Sequence, residues 1–194
     1  MAFSEPLPPV AAFRHHTARE GFEVVFVESI HDGLRIDGHT AAVEAEECWV
    51  IRYTIVVDDA FRTRRATVTG RSRAGTRGVF FDADGNGSWR VDGKPAPHLD
   101  GCLDVDLESS ALTNAFPVRR LALAVANEAE APAAYVRATD LRVERLEQRY
   151  RRVENAGLHE RYAYSAPAFD VACDLVYDEH GLVIDDPGIA TRAR

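Results

Sequence analysis

The residues best equipped for chemistry lie in LDGCLDVDLESSALTNAFPVRRL, residues 99–121. Asp104 and Asp106 are two positions apart, and on a strand that spacing points both carboxylates to one side, ~7 Å from each other, a pair suited to general acid and base work. The same spacing also describes the solvent-facing row of an amphipathic strand. Arg119 and Arg120 open what reads as the next strand, within reach of a hairpin partner's acids. Arg120 shares parity with Ala122, Ala124 and Ala126, whereas Arg119 shares it with Leu121, Leu123 and Val125. On that reading Arg119 lies on the core face. FRTRRATV repeats the oddity, since Arg62 and Arg64 share parity with Ala66 and Val68. A guanidinium aimed at an apolar interior is costly unless a carboxylate pairs it or a wet cavity receives it. A buried Arg–Asp lattice and a polar-lined binding cavity both satisfy this condition, and both suit a rolled sheet.

Other motifs fail on their own chemistry. DADGNG places Asp82, Asp84 and Asn86 like the start of a calcium loop, but the twelfth position, which needs a bidentate Glu, is Gly93. A tight turn between VFF and SWRV accounts for it. GRSRAG around Ser72 has Ala74 where a nucleophile elbow needs glycine, and reads as an arginine-flanked turn. None of the seven histidines forms an H-x-H or H-x-x-x-H pair. Cys102 stands beside carboxylates that raise a thiol's pKa and blunt it as a nucleophile. No catalytic residue, metal site or cofactor is therefore assigned.

The elements that must position these residues are mostly strands. Phe22, Val24 and Phe26 share a face of FEVVFVE, and Trp49, Ile51, Tyr53, Ile55 and Val57 share one of CWVIRYTIVVD. LDVDL, RLALAVA and FDVACDLVYD continue the alternation, and HDG, IDG, DGNG, VDGKP and DEHG supply turns. LRVERLEQRYRRVEN is the exception, with Val143, Leu146, Tyr150 and Val153 at helical spacing. The chain reads as one mainly-β domain over residues 1–194, with residues 1–18 a loose lead-in rich in Pro and Ala.

Composition narrows the function classes. A net charge of -8 argues against general affinity for nucleic-acid backbones. No run reaches the ~20 apolar residues of a membrane span. The N-terminus lacks the basic and apolar regions of a signal peptide, and three scattered cysteines fit a reducing compartment, so a cytoplasmic protein is expected. Oligomeric state is not legible.

DGNGSWRVDGKPAPHLDGCLDVDL, TNAFPVRRL, QRY, YAYS and DEHGLVIDDPGIATR stand in the order found in the bacterial "putative glycolipid-binding" family, and YTIVVDDAFRTRR resembles that family's tyrosine strand with its aspartate, aromatic and R-x-R. The resemblance spans roughly residues 30–192. It implies an antiparallel rolled sheet, a spiral or barrel-like β-roll around an interior cavity with little helix, like the carriers that shuttle bacterial lipoproteins. It also implies a strand for LEQRYRR. Position by position, the matching polar set is Asp58, Arg62, Arg64, Asp104, Asp106, Thr113, Asn114, Arg119, Arg120, Gln148 and Tyr150. The chain departs from the family at Ser110, Ala111 and Leu112, at Phe61 where tryptophan is frequent, and at Asp186 where an aromatic is usual.

The reading that follows is a non-enzymatic protein whose roll encloses a lipid or glycolipid-like amphiphile, with apolar faces for a chain and Arg and Asp side chains at the mouth for a polar head. The alternative is a small-molecule hydrolase or isomerase using Asp104 or Asp106 with Arg119 and Arg120. A third class, a protein-interaction module, would leave the charged lattice purely structural.

Overall fold

The computed structural model describes residues 3 and 5–193. A meander of antiparallel strands opens the chain: β1 (Val10–His15), β2 (Glu20–Ile30), β3 (Gly33–Glu44), β4 (Glu47–Val57), β5 (Thr63–Ser72) and β6 (Gly75–Ala83). Two short strands, β7 (Trp89–Val91) and β8 (Lys94–Pro95), end this arm. The chain then runs through β9 (Asp104–Leu107), helix α1 (Ala115–Leu121), β10 (Glu128–Glu130), β11 (Ala133–Val136) and β12 (Val143–Leu146). A second meander returns it: β13 (Arg149–Ala156), β14 (His159–Ala166), β15 (Val171–Tyr177), β16 (Val183–Asp186) and β17 (Ala190–Arg192). Because β17 pairs with β1, the two arms fuse into one 14-stranded sheet running from β10 to β8.

Period-two burial explains the curl. Trp49, Ile51, Tyr53, Ile55 and Val57 are all buried on one face of β4, alongside Ile36, Ala66, Val68 and Phe81 from its neighbours. Segment 103–114 lies against this face and is tied to both arms. Val105 N–H donates to Thr63 Oγ1 at 3.0 Å, Thr40 Oγ1 donates to Ser109 O at 2.8 Å, and Tyr150 hydroxyl donates to Asn114 Oδ1 at 3.1 Å. The sheet thus wraps an internal segment instead of closing on itself. Gly38 is required by this packing, because a Cβ there would fall 1.9 Å from the Tyr53 ring. That ring carries its hydroxyl to Glu23 Oε1 at 2.6 Å, and Glu23 also accepts Ala111 N–H at 2.9 Å. Ser110 Oγ donates to the same carboxylate, so a wholly buried acid fixes the loop after β9.

The mainly-β expectation holds, and the tight turn expected at DADGNG joins β6 to β7. Residues 143–146 and 149–156 are strands, as the family resemblance implies and the helical spacing does not. The small sheet β12–β11–β9 adds one parallel pair, β9 with β11, to this mainly antiparallel fold. Phe22, Val24 and Phe26 share a face as expected; it points outward, and Glu23 and Val25 are the buried residues of β2. Four expectations need correction. The lead-in expected over residues 1–18, of which 1, 2 and 4 lie outside the described residues, is ordered from Val10 as β1, an interior strand of the large sheet. IDG, expected as a turn, lies inside β3 as Ile36–Gly38.

The third correction concerns RLALAVA, which is not a strand. Residues 115–121 wind into α1, which tolerates Pro117 in its first turn and ends at Ala122 in the left-handed conformation, φ 44°. Ala115, Phe116 and Val118 take the buried side, and Val125 is exposed, so strand parity does not decide where Arg119 and Arg120 point. The fourth concerns FRTRRATV, where the pairing of β4 with β5 shifts between Val56 and Val57. This bulge leaves Arg64 as an extra residue, breaks its parity with Ala66 and turns it to solvent.

Candidate functional site

A cavity of about 400 Å³ opens between the second arm and the internal segment. Its apolar wall is built by inward positions of five elements: Leu107 of β9, Tyr135 of β11, Leu146 of β12, Tyr164 and Ala166 of β14, and Val171 and Leu175 of β15, with Phe169 from the turn between β14 and β15. Val171 sits at the rim, 36% exposed, and Leu175 lies fully inside, so the inner face of β15 runs from mouth to depth.

A polar cluster lines the same cavity. Asp106 of β9 accepts the Thr113 hydroxyl on Oδ1 at 2.8 Å. Asn114, next in sequence, gives its Nδ2 to Asp186 Oδ2 at 3.1 Å and accepts the Tyr150 hydroxyl on Oδ1. That pair of bonds fixes the orientation of the amide. Both acids are held above the usual carboxylate range. Burial is the largest cause for each. It pushes Asp186 up to about 7, aided by the charges of Asp106 and Asp185 and opposed by Arg19. Asp106 rises to about 6, with the Thr113 and Gln148 hydrogen bonds opposing and the charges of Asp104 and Glu108 adding to the shift.

Two arginines also line the cavity but are engaged by the protein. Arg19 lies 5.6 Å over the Trp49 ring, with Nε 3.6 Å from Glu44 Oε2. Arg137 stacks 4.8 Å from the Phe169 ring, donates to Glu144 Oε1 at 2.7 Å and reaches Glu108 Oε1 at 3.4 Å. Among the described residues no cationic nitrogen comes within 4.0 Å of Asp106 or Asp186.

The residues singled out in the sequence fall into three groups. Asp106 and Asn114 line the cavity, and Thr113, Gln148 and Tyr150 stand behind them, buried and hydrogen-bonded into the same cluster. Asp104 and Arg120 form an ion pair farther behind: Arg120 Nε donates to Asp104 Oδ1 at 3.3 Å and Nη2 meets Oδ2. Burial raises the Asp104 pKa, opposed by Arg120. Arg62, Arg64 and Arg119 are elsewhere. Arg62 donates to Gly85 O at 3.2 Å, and Arg64 lies 3.7 Å from Asp58. Arg119 lies 4.7 Å over the Phe61 ring and bonds the carbonyls of Glu5 and His180. The expected network of Asp104, Asp106, Arg119 and Arg120 therefore contains one ion pair, with Arg120 as its cation and Arg119 outside it. Sequence reasoning missed Arg19, Tyr135, Arg137 and Tyr164, and noted Asp186 only as a departure from the family. Cys102 is buried, which pushes its thiol up to about 11.

A family model described as "Putative glycolipid-binding" matches residues 12–192. The chain belongs to this family. A solved structure of a DUF1089 family protein from Pseudomonas aeruginosa superposes with a TM-score of 0.77 at 32% identity, covering 88% of this chain and 92% of that one. No curated protein matches the chain. The family match includes every cavity-lining residue named above, from Arg19 to Asp186, so the cavity lies wholly within the family's shared region.

Proposed function

We propose that this family member is a non-catalytic binding protein that receives an amphiphile, a lipid or glycolipid-like small molecule, in the cavity between β9 and β15. One observation carries the reading: a single cavity is lined both by aliphatic and aromatic side chains and by two carboxyls with an oriented amide. A chain against Leu146, Leu175 and Phe169 loses water, while a head at Asn114, Asp106 and Asp186 finds donors and acceptors already placed. The volume suits a head and the first part of a chain. The family description, which names glycolipids, supports the same class of ligand. We place the action in the cytoplasm, in keeping with free Cys48, Cys102 and Cys173. Among the described residues no helix is long and apolar enough to cross a membrane.

Calorimetric titration with n-octyl-β-D-glucoside below its micellar concentration tests the reading. Saturable binding of about one molecule per chain is expected, weakened about tenfold or more by Val171→Trp, which fills the rim without entering the core. Silence in the wild type, or equal binding by both proteins, would contradict it.

A further inference from the structure

Charge pairing around the cavity leaves a remainder. Arg19 faces Glu44, Arg137 is held between Glu108 and Glu144, and Arg120 behind the wall is committed to Asp104. Asp106 and Asp186 have no cation within 4.0 Å among the described residues, and Arg19, paired with Glu44, acts on Asp186 only from farther away. Asp186 is 3% exposed, so bulk water does not solvate it, and its side-chain partner is the neutral Asn114 amide at 3.1 Å. Asp106 likewise has a neutral partner in the Thr113 hydroxyl. Two carboxylates facing one low-dielectric cavity cannot both ionise cheaply unless a positive charge joins them.

We propose that the ligand's polar end supplies that charge, as a protonated amine of an amphiphilic amine or amino sugar seated between Asp106 and Asp186. This rests on the amphiphile reading and narrows its head group. A phosphate or carboxylate head would meet like charge at the same place. With the cavity empty, the raised pKa values of about 7 and about 6 leave the pair partly protonated near neutrality, chiefly on Asp186. An arriving ammonium favours the ionised pair, so its binding expels a proton to solvent. Other titratable groups also face the site. Burial pushes the Cys173 thiol up to about 11 and holds the Tyr135 and Tyr164 hydroxyls well above their ordinary value. Arg19, Arg137 and Glu108 are engaged in the pairings above, and Asp104 in its own. Asp185, adjacent in sequence, adds negative charge and strengthens the preference for a cation.

Calorimetry with octylammonium chloride, n-octyl-β-D-glucoside and octyl phosphate at about pH 5.5 and about pH 8 separates this inference from the reading beneath it. At the higher pH octylammonium should bind about tenfold tighter than the glucoside, and the phosphate weakest. Its affinity should fall about tenfold toward the lower pH while that of the glucoside holds. Asp186→Asn should abolish the ammonium's advantage over the glucoside, with a cooperative thermal unfolding transition showing that the variant is folded, and Asp106→Asn should act in the same direction; an ammonium advantage kept by both folded variants overturns the amine inference. Glucoside binding equal to or tighter than octylammonium at the higher pH overturns the amine inference and leaves the cavity reading intact. Failure of all three to bind overturns both.

Discussion

A buried carboxyl without a cation makes stability depend on pH, and Asp186 is the clearest instance here. Its folded pKa of about 7 lies above the ordinary value of 3.8. Between these values the folded chain keeps a proton that the unfolded chain has lost, so stability falls as pH rises from about 4 to about 7 and is level above. Asp106 acts with the same sign over a window ending at about 6. Asp186→Asn removes the penalty. Thermal unfolding should show little gain at about pH 4 and a gain on the order of 1–3 kcal/mol at about pH 8. A loss at the higher pH, or equal shifts at both, would contradict the assignment. At this scale the sequence told part of the story. Asp106, Asn114, Thr113, Gln148 and Tyr150 were legible because they sit in specific motifs. Arg19, Tyr135 and Arg137 were not, because they come from separate elements with no shared spacing, and only the fold brings them together.

Helix α1 shows why the twin arginines misled. Six residues alternating Leu or Val with Ala beyond an Arg pair fit a strand as well as a turn of helix, and a short apolar run carries no periodicity able to separate them. Winding the segment reverses the roles of its cations. Arg120 pairs with Asp104 in a largely buried bond, whereas Arg119 lies over Phe61 and bonds carbonyls near the surface. Arg120→Ala strands the buried Asp104 and should cost about 3–5 kcal/mol. Arg119→Ala should cost about 1 kcal/mol, the scale of a cation–π contact and a hydrogen bond. Urea midpoints for the two variants decide the order; the reverse order would support the strand reading of RLALAVA. The bulge in β5 is a second case of the same kind, since one extra residue shifts parity without leaving a mark in composition. The long strand β4, by contrast, was legible from alternation alone, whereas β3 was not, because IDG within it carries a turn composition.

At the scale of the whole molecule, two meanders joined by β1 and β17 wrap a segment that carries both the acids and the helix. The mainly-β class was legible because turns and alternation recur along most of the chain. The internal segment was not, because a parallel pair such as β9 with β11 depends on residues far apart in sequence. The wrap also leaves two apolar surfaces, the cavity wall and the outward face bearing Phe22, Phe26 and Val50, which are 43%, 52% and 49% exposed. An amphiphile should choose the first. A two-dimensional NMR titration with n-octyl-β-D-glucoside distinguishes the two surfaces. Saturable shifts should concentrate on the methyls of Leu146, Val171 and Leu175 and on the Asn114 side-chain amide. Shifts confined to Val50, Phe22 and their neighbours on the outer face, with the cavity signals unmoved, would contradict it.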